Sequence, residues 1–411
     1  MRILILYRHF WPDSPPYASM LRSIARRLID DGHEVTIWTQ EPSYKATDLT
    51  KTASRRETLD GIEVERFGTL PGYKALTLVR MLDKLAFPLR LWAKAAWRRM
   101  RREHYDLVWT ATIPPVAQGM VGRWIAGLFG ARLLYHCQDL YPELGAHSGF
   151  WKADGMIDRL LRRIERKTRT RADVLVALSH DMAATVHNLA EPQGTLAVVN
   201  NFMLEDFSGE AATALLQPAK HTENERLQLI FAGNLGQFQG LDLLVDAMRL
   251  VGAKRNDVEL VFMGEGKAAA SLKVQAQGLS NVVFKGHQPF EEAQIAIAAA
   301  DIGIVSLEPE IYRLAFPSKT LTYLGLGMPL FCVIEENSEL ARMVSDNGIG
   351  AVAPRDPQAI ADAIIALADT RKDLPTMRER ASSWFASRLD RPAVLDHWSG
   401  MIGELNEPRN G

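Results

Sequence analysis

The sequence predicts an α/β fold with two domains, each a doubly wound parallel sheet covered by helices on both faces. Three observations support this prediction. Short apolar strand patterns alternate with helical patterns along most of the chain. The alternation stops at a polar, poorly periodic stretch, 201–226, and then starts again. The length of 411 residues suits two domains better than one. Each strand–helix–strand unit implies a parallel strand pair joined by a right-handed crossover.

Composition and charge narrow the class of protein. The chain is 47% hydrophobic and 24% charged, which allows two cores and a polar surface. A net charge of -1 argues against nucleic-acid binding through overall charge. Cys137 and Cys332 each lie in or beside an apolar run, which predicts buried thiols in a reducing compartment. The chain shows no signal-peptide pattern and no apolar run of the ~20 residues that span a membrane, so we expect a cytoplasmic protein.

Strand patterns define a Rossmann-like domain at 1–200 and a second at 227–374. In the first, a helix ends near Asp31 and a polar loop is predicted at 40–60. Strands of the first domain are predicted at 2–7, 32–39, 62–67, 106–110, 131–137, 172–178 and 195–200. After the interdomain connection at 201–226, strands are predicted at 226–233, 258–266, 281–286, 301–307, 330–334 and 349–354. Residues 375–411 are predicted as closing helices that pack back on the N-terminal domain.

Two basic segments stand out in the first domain. Residues 74–102 are predicted as one helix, or a helix pair broken at Pro88, with Trp92 and Trp97 among arginines and lysines. A second basic helix is predicted at 155–171. Basic helices with interfacial aromatic residues suit an anionic bilayer surface. The alternative is a solvated helix face over the core, which stays open for the first segment and is favoured for the second.

Ligands of open parallel sheets bind outside the carboxyl ends of the strands, so the loops after strands are the candidate sites. If the carboxyl edges of the two domains face each other, they form one cleft. In the second domain, glycine directly follows three strands, in the loops 233–240, 264–267 and 286–289. Glycine allows a tight turn and a close approach of a ligand to backbone N–H groups. GEGKAA at 264–269 also fits a loose dinucleotide pattern, but it follows the second strand rather than the first.

Two further loops carry charged or titratable side chains. Pro317, Ser318 and Lys319 open a short helix between two strands, where free N–H groups and the lysine charge favour a phosphate. A capped helix with a solvated lysine is the alternative. His136 and Asp139 lie in the loop HCQDLYPE after a strand and suit acid–base or charge-stabilising work. A structural histidine is the alternative there.

Three motifs are absent from the sequence. It has no D-x-D pair, no Walker loop and no G-x-S-x-G elbow. The sequence therefore has no obvious carboxylate pair that could hold a nucleotide-bound divalent ion. The absence of the other two motifs disfavours P-loop enzymes and α/β-hydrolases.

Four motifs in the same order resemble family-4 retaining glycosyltransferases of the GT-B fold. They are GHEVT at 32–36 after an aromatic, Pro-rich loop, DLYPE at 139–143, AGNLGQFQGLD at 232–242 and PSKTLTYLGLGMP at 317–329. The resemblance covers nearly the whole chain. It is strongest for the bacterial N-acetyl-fucosamine-type transferases of surface polysaccharide synthesis.

The resemblance implies a nucleotide-sugar donor, with UDP favoured, held by the C-terminal domain without a metal or other cofactor. It assigns catalytic roles to Lys319, His136 and Asp139. The implied donor-binding residues are Gly233, Asn234, Gln239, Gly264, Glu265, Gly266, His287, Gln288, Pro317, Ser318 and Thr322. The implied acceptor-binding residues, in the N-terminal domain, are Asp13, Ser14, Tyr17 and Arg22.

The sequence departs from the family at two positions. Relatives carry one glutamate before the helix at Lys319 and one within it, and the second usually holds the ribose hydroxyls. Leu314 and Thr322 stand at those positions here, and a leucine cannot accept a hydrogen bond. Glu308 and Glu310 lie nearby but out of register. Either another group binds the ribose, or donor choice is unusual, or activity is reduced.

The leading hypothesis is a metal-independent retaining glycosyltransferase, of hexosyl or N-acetylhexosaminyl type, in bacterial O-antigen, capsule or exopolysaccharide synthesis. Its acceptor is a saccharide or an undecaprenyl-diphosphate-linked lipid, which would place the chain on the inner face of the cytoplasmic membrane. A second hypothesis is a non-catalytic protein of the same fold that binds a sugar nucleotide or a partner transferase. A third, less favoured, is a nucleotide-sugar epimerase, for which the candidate cleft has few acidic groups.

Overall fold

The chain forms two compact units in a computed structural model that describes residues 1–44, 51–73, 76–203, 226–236 and 238–405. The first unit comprises Met1–Leu204, Arg313–Phe316 and Val394–Gly411, and the second comprises Glu205–Tyr312 and Pro317–Ala393. Nearly all of the predicted connection at 201–226 lies outside the described residues. Of the predicted closing segment, 375–393 belongs to the second unit and 394–411 to the first. The domain boundaries given by the sequence stay predictions.

The first unit is built on an eight-stranded sheet of order β3-β4-β2-β1-β5-β6-β7-β8. Parallel pairing confirms the doubly wound prediction for seven of these strands. The strands are β1 (Arg2–Leu6), β2 (Glu34–Gln40), β3 (Arg56–Leu59), β4 (Ile62–Phe67), β5 (Leu107–Ala111), β6 (Arg132–Cys137), β7 (Val174–Ala177) and β8 (Thr195–Val198). The helices are α1 (Pro16–Asp30), α2 (Thr77–Met100), α3 (Ala117–Phe129), α4 (Glu143–His147), α5 (Met156–Arg171) and α6 (His180–Ala190).

One element of the first unit differs from the sequence prediction, and one alternative that the sequence left open is decided. Strand β3 lies inside the segment predicted as a polar loop at 40–60, and it pairs antiparallel with β4. Its sequence RETL has few apolar residues because β3 is an edge strand. Helix α2 continues through Pro88, so it is one helix rather than a broken pair. Buried Phe87, Leu91 and Ala95 hold it on the unit, which offsets the hydrogen bond that proline cannot make.

The C-terminal helix completes the core of the first unit. This helix, Arg391–Glu404, contributes buried Trp398, Met401 and Ile402 to the cluster that also holds strands β1, β2 and β5. The ring of Trp398 stacks on Trp109 of β5, with centroids 4.4 Å apart. A segment distant in sequence therefore belongs to the same core as the first strand.

The second unit is built on a six-stranded parallel sheet of order β11-β10-β9-β12-β13-β14. The strands are β9 (Leu227–Ala232), β10 (Val258–Met263), β11 (Val282–Phe284), β12 (Ile302–Ser306), β13 (Leu330–Val333) and β14 (Gly350–Ala353). The helices, numbered on from the first unit, are α7 (Leu241–Lys254), α8 (Ala269–Gln275), α9 (Phe290–Ala299), α10 (Lys319–Gly325), α11 (Glu339–Asn347), α12 (Pro357–Asp369) and α13 (Leu374–Arg388). The helix Arg391–Glu404 described above is α14. Single-turn 3₁₀ helices lie at Ile311–Arg313 and Arg371–Asp373.

Both sheets reverse their strand order beside the first strand of the unit. In the first unit β1 lies between β2 and β5, and in the second β9 lies between β10 and β12. Loops at the carboxyl ends of these strands diverge, and the crevice that this creates is where ligands of such sheets bind. Cys137 and Cys332 are free and buried, as predicted. Among the described residues, no helix has the length and apolar content needed to cross a bilayer.

Candidate active site

Three glycine loops lie side by side at the carboxyl edge of the second sheet. The N–H of Gly233 donates to the carbonyl of Met263 at 2.8 Å, and that of Gly264 to the carbonyl of Gly286 at 2.7 Å. A Cβ on Gly264 would lie 2.0 Å from the carbonyl oxygen of Gly233, and the φ of Gly264 is +132°. A Cβ on Gly266 would lie 2.2 Å from another backbone oxygen. Only glycine therefore permits this packing of backbone against backbone.

Helix α10 fixes Lys319 beside these loops. Tyr323 lies four residues later on the same helix face, and its hydroxyl accepts a hydrogen bond from the N–H of Ala232 at 2.9 Å. The Tyr323 ring fits against β12 because Gly303 has no Cβ, which would lie 2.4 Å from the ring. With the helix held this way, the Lys319 ammonium lies 4.5 Å from the ring centroid of Phe231.

Lys319 is a cation for which the described residues supply no anionic partner. A Cβ on Gly233 would lie 3.4 Å from its Nζ, so the ammonium faces the turn after β9. Burial lowers the pKa of Lys319 from 10.5 to about 8. Within the described ranges no carboxylate forms an ion pair with it, and a partly desolvated cation gains from an anionic ligand. We use the name donor loops for the three glycine loops at 233–240, 264–267 and 286–289 together with Lys319.

Other predicted donor residues surround the donor loops with different exposure. The side-chain amides of Asn234 and Gln239 converge on Gly236, and the Oε1 of Gln239 is buried without a hydrogen-bond partner in the described part of the chain. Glu265 and His287 are exposed, and Gln288 donates to the carbonyl of Lys285 at 2.8 Å.

The helix start differs from the prediction. The helix begins at Lys319, so Ser318 is its N-cap and Pro317 precedes the cap rather than occupying the first turn. The Ser318 side chain makes no capping hydrogen bond and is exposed. A hydroxyl that does not cap the helix is available to a ligand. Thr322 is partly buried on the same helix.

Glu308 and Glu310 lie near the positions where the family carries its glutamates, and both have partners within the protein. Glu308 pairs with Arg355 at 2.9 Å, which also donates to the carbonyl of Leu307. The N–H of Glu310 donates to Glu335 at 2.8 Å. Leu314 is buried in the first unit, where its carbonyl accepts from the N–H of Leu140 at 2.7 Å. Glu308 is therefore not free to replace either of the two glutamates that the family carries near this helix.

In the first unit, Tyr17 and His136 come together at the carboxyl edge of the sheet. The Tyr17 hydroxyl lies 2.8 Å from Nδ1 of His136, and the Gln138 amide lies 2.8 Å from its Nε2. Asn201 donates in turn to Gln138 at 2.8 Å. Burial lowers the pKa of His136 to about 3, so the ring is neutral near pH 7. With both ring nitrogens engaged, His136 orients Tyr17 and Gln138 rather than carrying charge.

The predicted acceptor residues do not all lie together. Asp13 is buried and bonded to His9 at 2.5 Å, and it also accepts from the N–H of Tyr44 at 3.0 Å. Ser14 is exposed beside it. Arg22 instead pairs with Asp60 at 2.7 Å and stacks on Trp11. Sequence reasoning missed His9, whose signal is its place three residues after the end of β1 and four before Asp13.

Asp139 is held by its backbone while its carboxylate stays without a partner in the described structure. Its backbone forms an isolated antiparallel bridge with Ala315. Burial raises the pKa of the Asp139 carboxyl to about 6. A carboxyl that titrates near neutrality at a strand end suits acid–base work on a hydroxyl.

A buried network of ion pairs supports the loop that carries Asp139. Arg169 donates to the carbonyl of Tyr141 at 2.6 Å and pairs with Glu143 at 3.0 Å and Glu165 at 3.3 Å. Tyr135 donates to Glu165 at 2.7 Å. Burial raises the pKa of Glu165 to about 7. Arg169 thus ties helix α5 to the loop that carries Asp139.

Comparison with known families identifies both halves of the chain. Residues 17–201 match the glycosyl transferase 4-like domain, and residues 226–370 match the glycosyl transferases group 1 domain. The two matched ranges cover most of the chain and fall on its two units. By fold and by domain content, the chain is a glycosyltransferase with the GT-B fold.

Named relatives and solved structures agree with this class. The chain is 28% identical over 255 residues to the probable glycosyltransferase WbjE of Pseudomonas aeruginosa, a match spanning 61% of each chain. It is 24% identical to the putative colanic acid biosynthesis glycosyl transferase WcaI of Escherichia coli K12, over 96% of this chain and 98% of that protein.

Two solved structures show the same fold over nearly full length. They are sucrose-phosphate synthase of Thermosynechococcus elongatus (17% identity, TM-score 0.74, 98% of both chains) and Anabaena HepE in complex with UDP (16% identity, TM-score 0.67, 98% of this chain and 100% of that one). They confirm the GT-B fold that the sequence resemblance implied.

Proposed function

We propose that the chain is a retaining glycosyltransferase that moves a sugar from a nucleotide-diphosphate donor, with UDP favoured, to a saccharide or lipid-linked acceptor. The observation that carries the proposal is Lys319, a partly desolvated cation that faces the glycine loops and has no carboxylate partner in the part of the chain that the structure describes. A diphosphate supplies the missing negative charge, and the glycines allow it to approach backbone N–H groups. HepE, a protein of the same fold, binds UDP, UDP-glucose and UDP with glucose.

Each named group has a role in this proposal. Lys319 stabilises the departing nucleoside diphosphate, on which negative charge grows in the transition state. Because the ammonium supplies this charge, the proposed reaction needs no metal ion. Asn234 and Gln239 face the diphosphate with their amides. The exposed Ser318 hydroxyl lies at the start of helix α10, which carries Lys319. In the first unit, Asp139 takes or holds the acceptor hydroxyl proton, and Tyr17 orients the acceptor with His136 behind it.

The acceptor belongs to bacterial surface polysaccharide synthesis in this proposal. WcaI, which matches nearly the full chain, is named for colanic acid biosynthesis. The structures of similar fold include WaaG and WaaB, both named for lipopolysaccharide. An undecaprenyl-diphosphate-linked acceptor would bring the chain to the inner face of the cytoplasmic membrane, and the sugar is a hexose or N-acetylhexosamine.

A calorimetric screen tests the donor site. Purified chain is titrated with UDP, GDP, TDP and ADP in the presence of EDTA, and the tightest ligand is then tested against Lys319→Met. Binding of one nucleoside diphosphate that weakens at least about tenfold in Lys319→Met supports the proposal. Binding that is equal in the variant, or that requires a divalent ion, contradicts it.

A second candidate function rests on the departure at Leu314 and Thr322. Because Glu308 is engaged by Arg355, the described structure offers no free carboxylate at the family positions for the ribose. A chain that binds the nucleotide but neither transfers nor hydrolyses the sugar would be a non-catalytic partner of the same fold. Measuring diphosphate release together with binding separates the two functions.

A further inference from the structure

His9 and Asp13 form a buried pair in the loop between β1 and α1. Nδ1 of His9 lies 2.5 Å from Oδ2 of Asp13. The other carboxylate oxygen, Oδ1, accepts from the backbone N–H of Tyr44 at 3.0 Å and from those of Ser14 and Ser43 at 3.3 Å. A carboxylate that receives three backbone N–H groups acts as an acceptor, so it accepts the Nδ1 hydrogen of His9 as well.

This pairing fixes what the outer nitrogen of the His9 ring can do. With the hydrogen on Nδ1, the neutral ring carries its lone pair on Nε2. Nε2 has no hydrogen-bond partner in the described part of the chain, and the side chain keeps 7% of its surface exposed. The Asp13 side chain behind it is fully buried. His9 therefore presents an oriented hydrogen-bond acceptor for which the described residues supply no donor.

Aromatic rings connect His9 to the residues that the proposed function places at the acceptor. Tyr7 directly follows β1, and its ring meets those of His9 and Tyr17 edge-to-face, with centroids 6.2 Å and 4.8 Å apart. The Tyr17 ring in turn lies 5.3 Å from that of His136. The four rings form a row along the carboxyl edge of the first sheet. An acceptor that contacts Tyr17 is therefore separated from His9 by a single tyrosine ring.

The charges on this edge favour a neutral hydroxyl over an anion. Burial raises the pKa of Tyr7 well above 10, and the carboxylates of Asp139 and Asp13 add to the rise, so they make the field around its hydroxyl negative. Arg8, the adjacent cation, is buried in an ion pair with a carboxylate of α2. A phosphate at His9 would meet Asp13 and Asp139 as like charges, whereas a hydroxyl can donate to Nε2.

An exposed aromatic ring lies beside the histidine. Tyr44 is 52% exposed, and its ring meets that of His9 edge-to-face with centroids 5.3 Å apart. Its backbone N–H is bonded to Asp13, so the loop after β2 is held by the same pair. A tyrosine offers an apolar face and a polar tip. The C–H face of a sugar ring can pack on this surface while a hydroxyl reaches Nε2.

We infer that His9 is a specificity-determining residue that accepts a hydrogen bond from a second hydroxyl of the acceptor saccharide, with Asp13 as its positioning residue and Tyr44 against the sugar. The second hydroxyl is distinct from the reacting one, which Asp139 holds. The effect on the reaction rests on the proposed function, whereas saccharide binding at His9 needs no turnover. A site that pairs with a hydroxyl rejects an analogue without it, because the buried polar group is then left unpaired.

Acceptor kinetics with matched variants test this role. His9→Phe keeps a ring against Tyr7 and Tyr44 but removes both nitrogens, whereas His9→Gln keeps a polar group. With the best donor of a UDP-sugar panel and an undecaprenyl-linked saccharide extract as acceptor, His9→Phe should lower kcat/KM for the acceptor at least about tenfold, through a higher acceptor KM. His9→Gln should recover part of the loss. The control His397→Phe, at an exposed histidine of α14, should match wild type.

Calorimetric binding of the diphosphate keeps a folding defect apart from a lost acceptor contact. Its affinity should be the same in wild type, His9→Phe and His9→Gln, because the donor loops belong to the second unit. Slow hydrolysis of the donor without an acceptor should also stay at the wild-type rate.

Nitrogen NMR of ring-labelled histidine supplies a readout that does not depend on turnover. The saccharide released from the same extract by mild acid is added to the full chain, and the Nε2 resonance of His9 is followed after assignment by its loss in His9→Gln. It should shift with the saccharide and not with inorganic phosphate. In Asp13→Asn the amide oxygen stays with the three backbone N–H groups, so its NH₂ faces Nδ1 and the ring hydrogen moves to Nε2. This variant should show a protonated Nε2 and no saccharide shift.

The possible failures are distinguishable. A wild-type acceptor KM in His9→Phe, an Nε2 resonance that ignores the saccharide, or an equal shift with phosphate would each overturn the inference. A wild-type chain that binds no diphosphate and releases none from any donor would instead overturn the proposed function. In that case the Nε2 shift still decides whether His9 binds the saccharide.

Discussion

Replacing Lys319 by methionine removes one charge from the donor loops and keeps most of the side-chain volume. The native ammonium lies 4.5 Å from the centre of the Phe231 ring and faces Gly233, with no carboxylate partner in the described structure. Methionine can keep the contact with the ring. The change therefore tests the charge rather than the packing.

Removing the Lys319 charge is expected to have opposite effects on diphosphate affinity and on folding stability. A hydrogen bond to a charged group contributes about 1.5–3 kcal/mol, so the affinity for a nucleoside diphosphate should fall roughly 10- to 150-fold. Folding stability should not fall with it. Burial lowers the pKa of Lys319 from 10.5 to about 8, which corresponds to at most about 3 kcal/mol against the charged form in the folded chain. Lys319→Met should thus be as stable as wild type at pH 7, or more stable by up to that amount.

The pH dependence has a defined sign. Below pH 8 the folded and unfolded chains both hold the Lys319 proton, so the stability cost is complete. Between pH 8 and 10.5 the folded chain has released the proton, and the cost disappears as pH rises. The advantage of Lys319→Met should therefore shrink over this range. Diphosphate affinity of wild type should weaken about tenfold from pH 7 to pH 9, because the ligand needs the protonated lysine.

Calorimetry and thermal unfolding of both proteins at pH 7, 8 and 9 provide the assay, with Lys372→Met as a control at an exposed lysine. The control should match wild type in both measurements. Equal diphosphate affinity in Lys319→Met, or an affinity for wild type that is independent of pH up to 9, would refute the assignment of Lys319 to the diphosphate.

Three further changes have expected outcomes. Gly264→Ala should abolish diphosphate binding, because its Cβ would lie 2.0 Å from a backbone oxygen. Gly278→Ala has open space around its Cβ, so this control should keep binding at a stability cost of about 1 kcal/mol. Calorimetry compares the two variants. Arg169→Met should cost about 3–5 kcal/mol in chemical denaturation because Glu143 and Glu165 lose their cation, while exposed Arg166→Met should be near neutral. Asp139→Asn should raise thermal stability at pH 7 by up to about 3 kcal/mol but not at pH 4, because the charged carboxylate is disfavoured above its pKa of about 6. A variant less stable than wild type at pH 7 would contradict this.

The parallel strands of both sheets could be predicted from local sequence because each buried strand is a short apolar run between turn residues. The edge strand β3 escaped prediction, since its sequence RETL has no alternation that marks a buried face. Pro88 left a single helix and a broken pair open, and the structure has a single helix because the tertiary contacts of α2 outweigh the local loss of one hydrogen bond. Neither outcome is encoded within a window of a few residues.

The donor loops were predictable for a related reason. Glycine after an apolar strand marks a turn, and three such turns in one parallel sheet must meet at one edge. The burial of Glu165 and Arg169 in a helix that looks basic depends on which helix face meets the core. The pairing of His9 with Asp13 depends on the path of the loop between β1 and α1. The charge count of α5 suggests a solvated helix, and only packing shows that its exposed charges are all positive.

The central claim is that the chain transfers a sugar from a nucleotide donor with Lys319 on the diphosphate. The most direct measurement is release of nucleoside diphosphate from a panel of nucleotide sugars, in EDTA, with an undecaprenyl-linked saccharide extract as acceptor. The account predicts that release from one donor, UDP-linked, is matched by sugar incorporated into lipid and falls about 100-fold or more in Lys319→Met. Tight diphosphate binding without release or incorporation from any donor would contradict it and identify the chain as a non-catalytic protein of this fold.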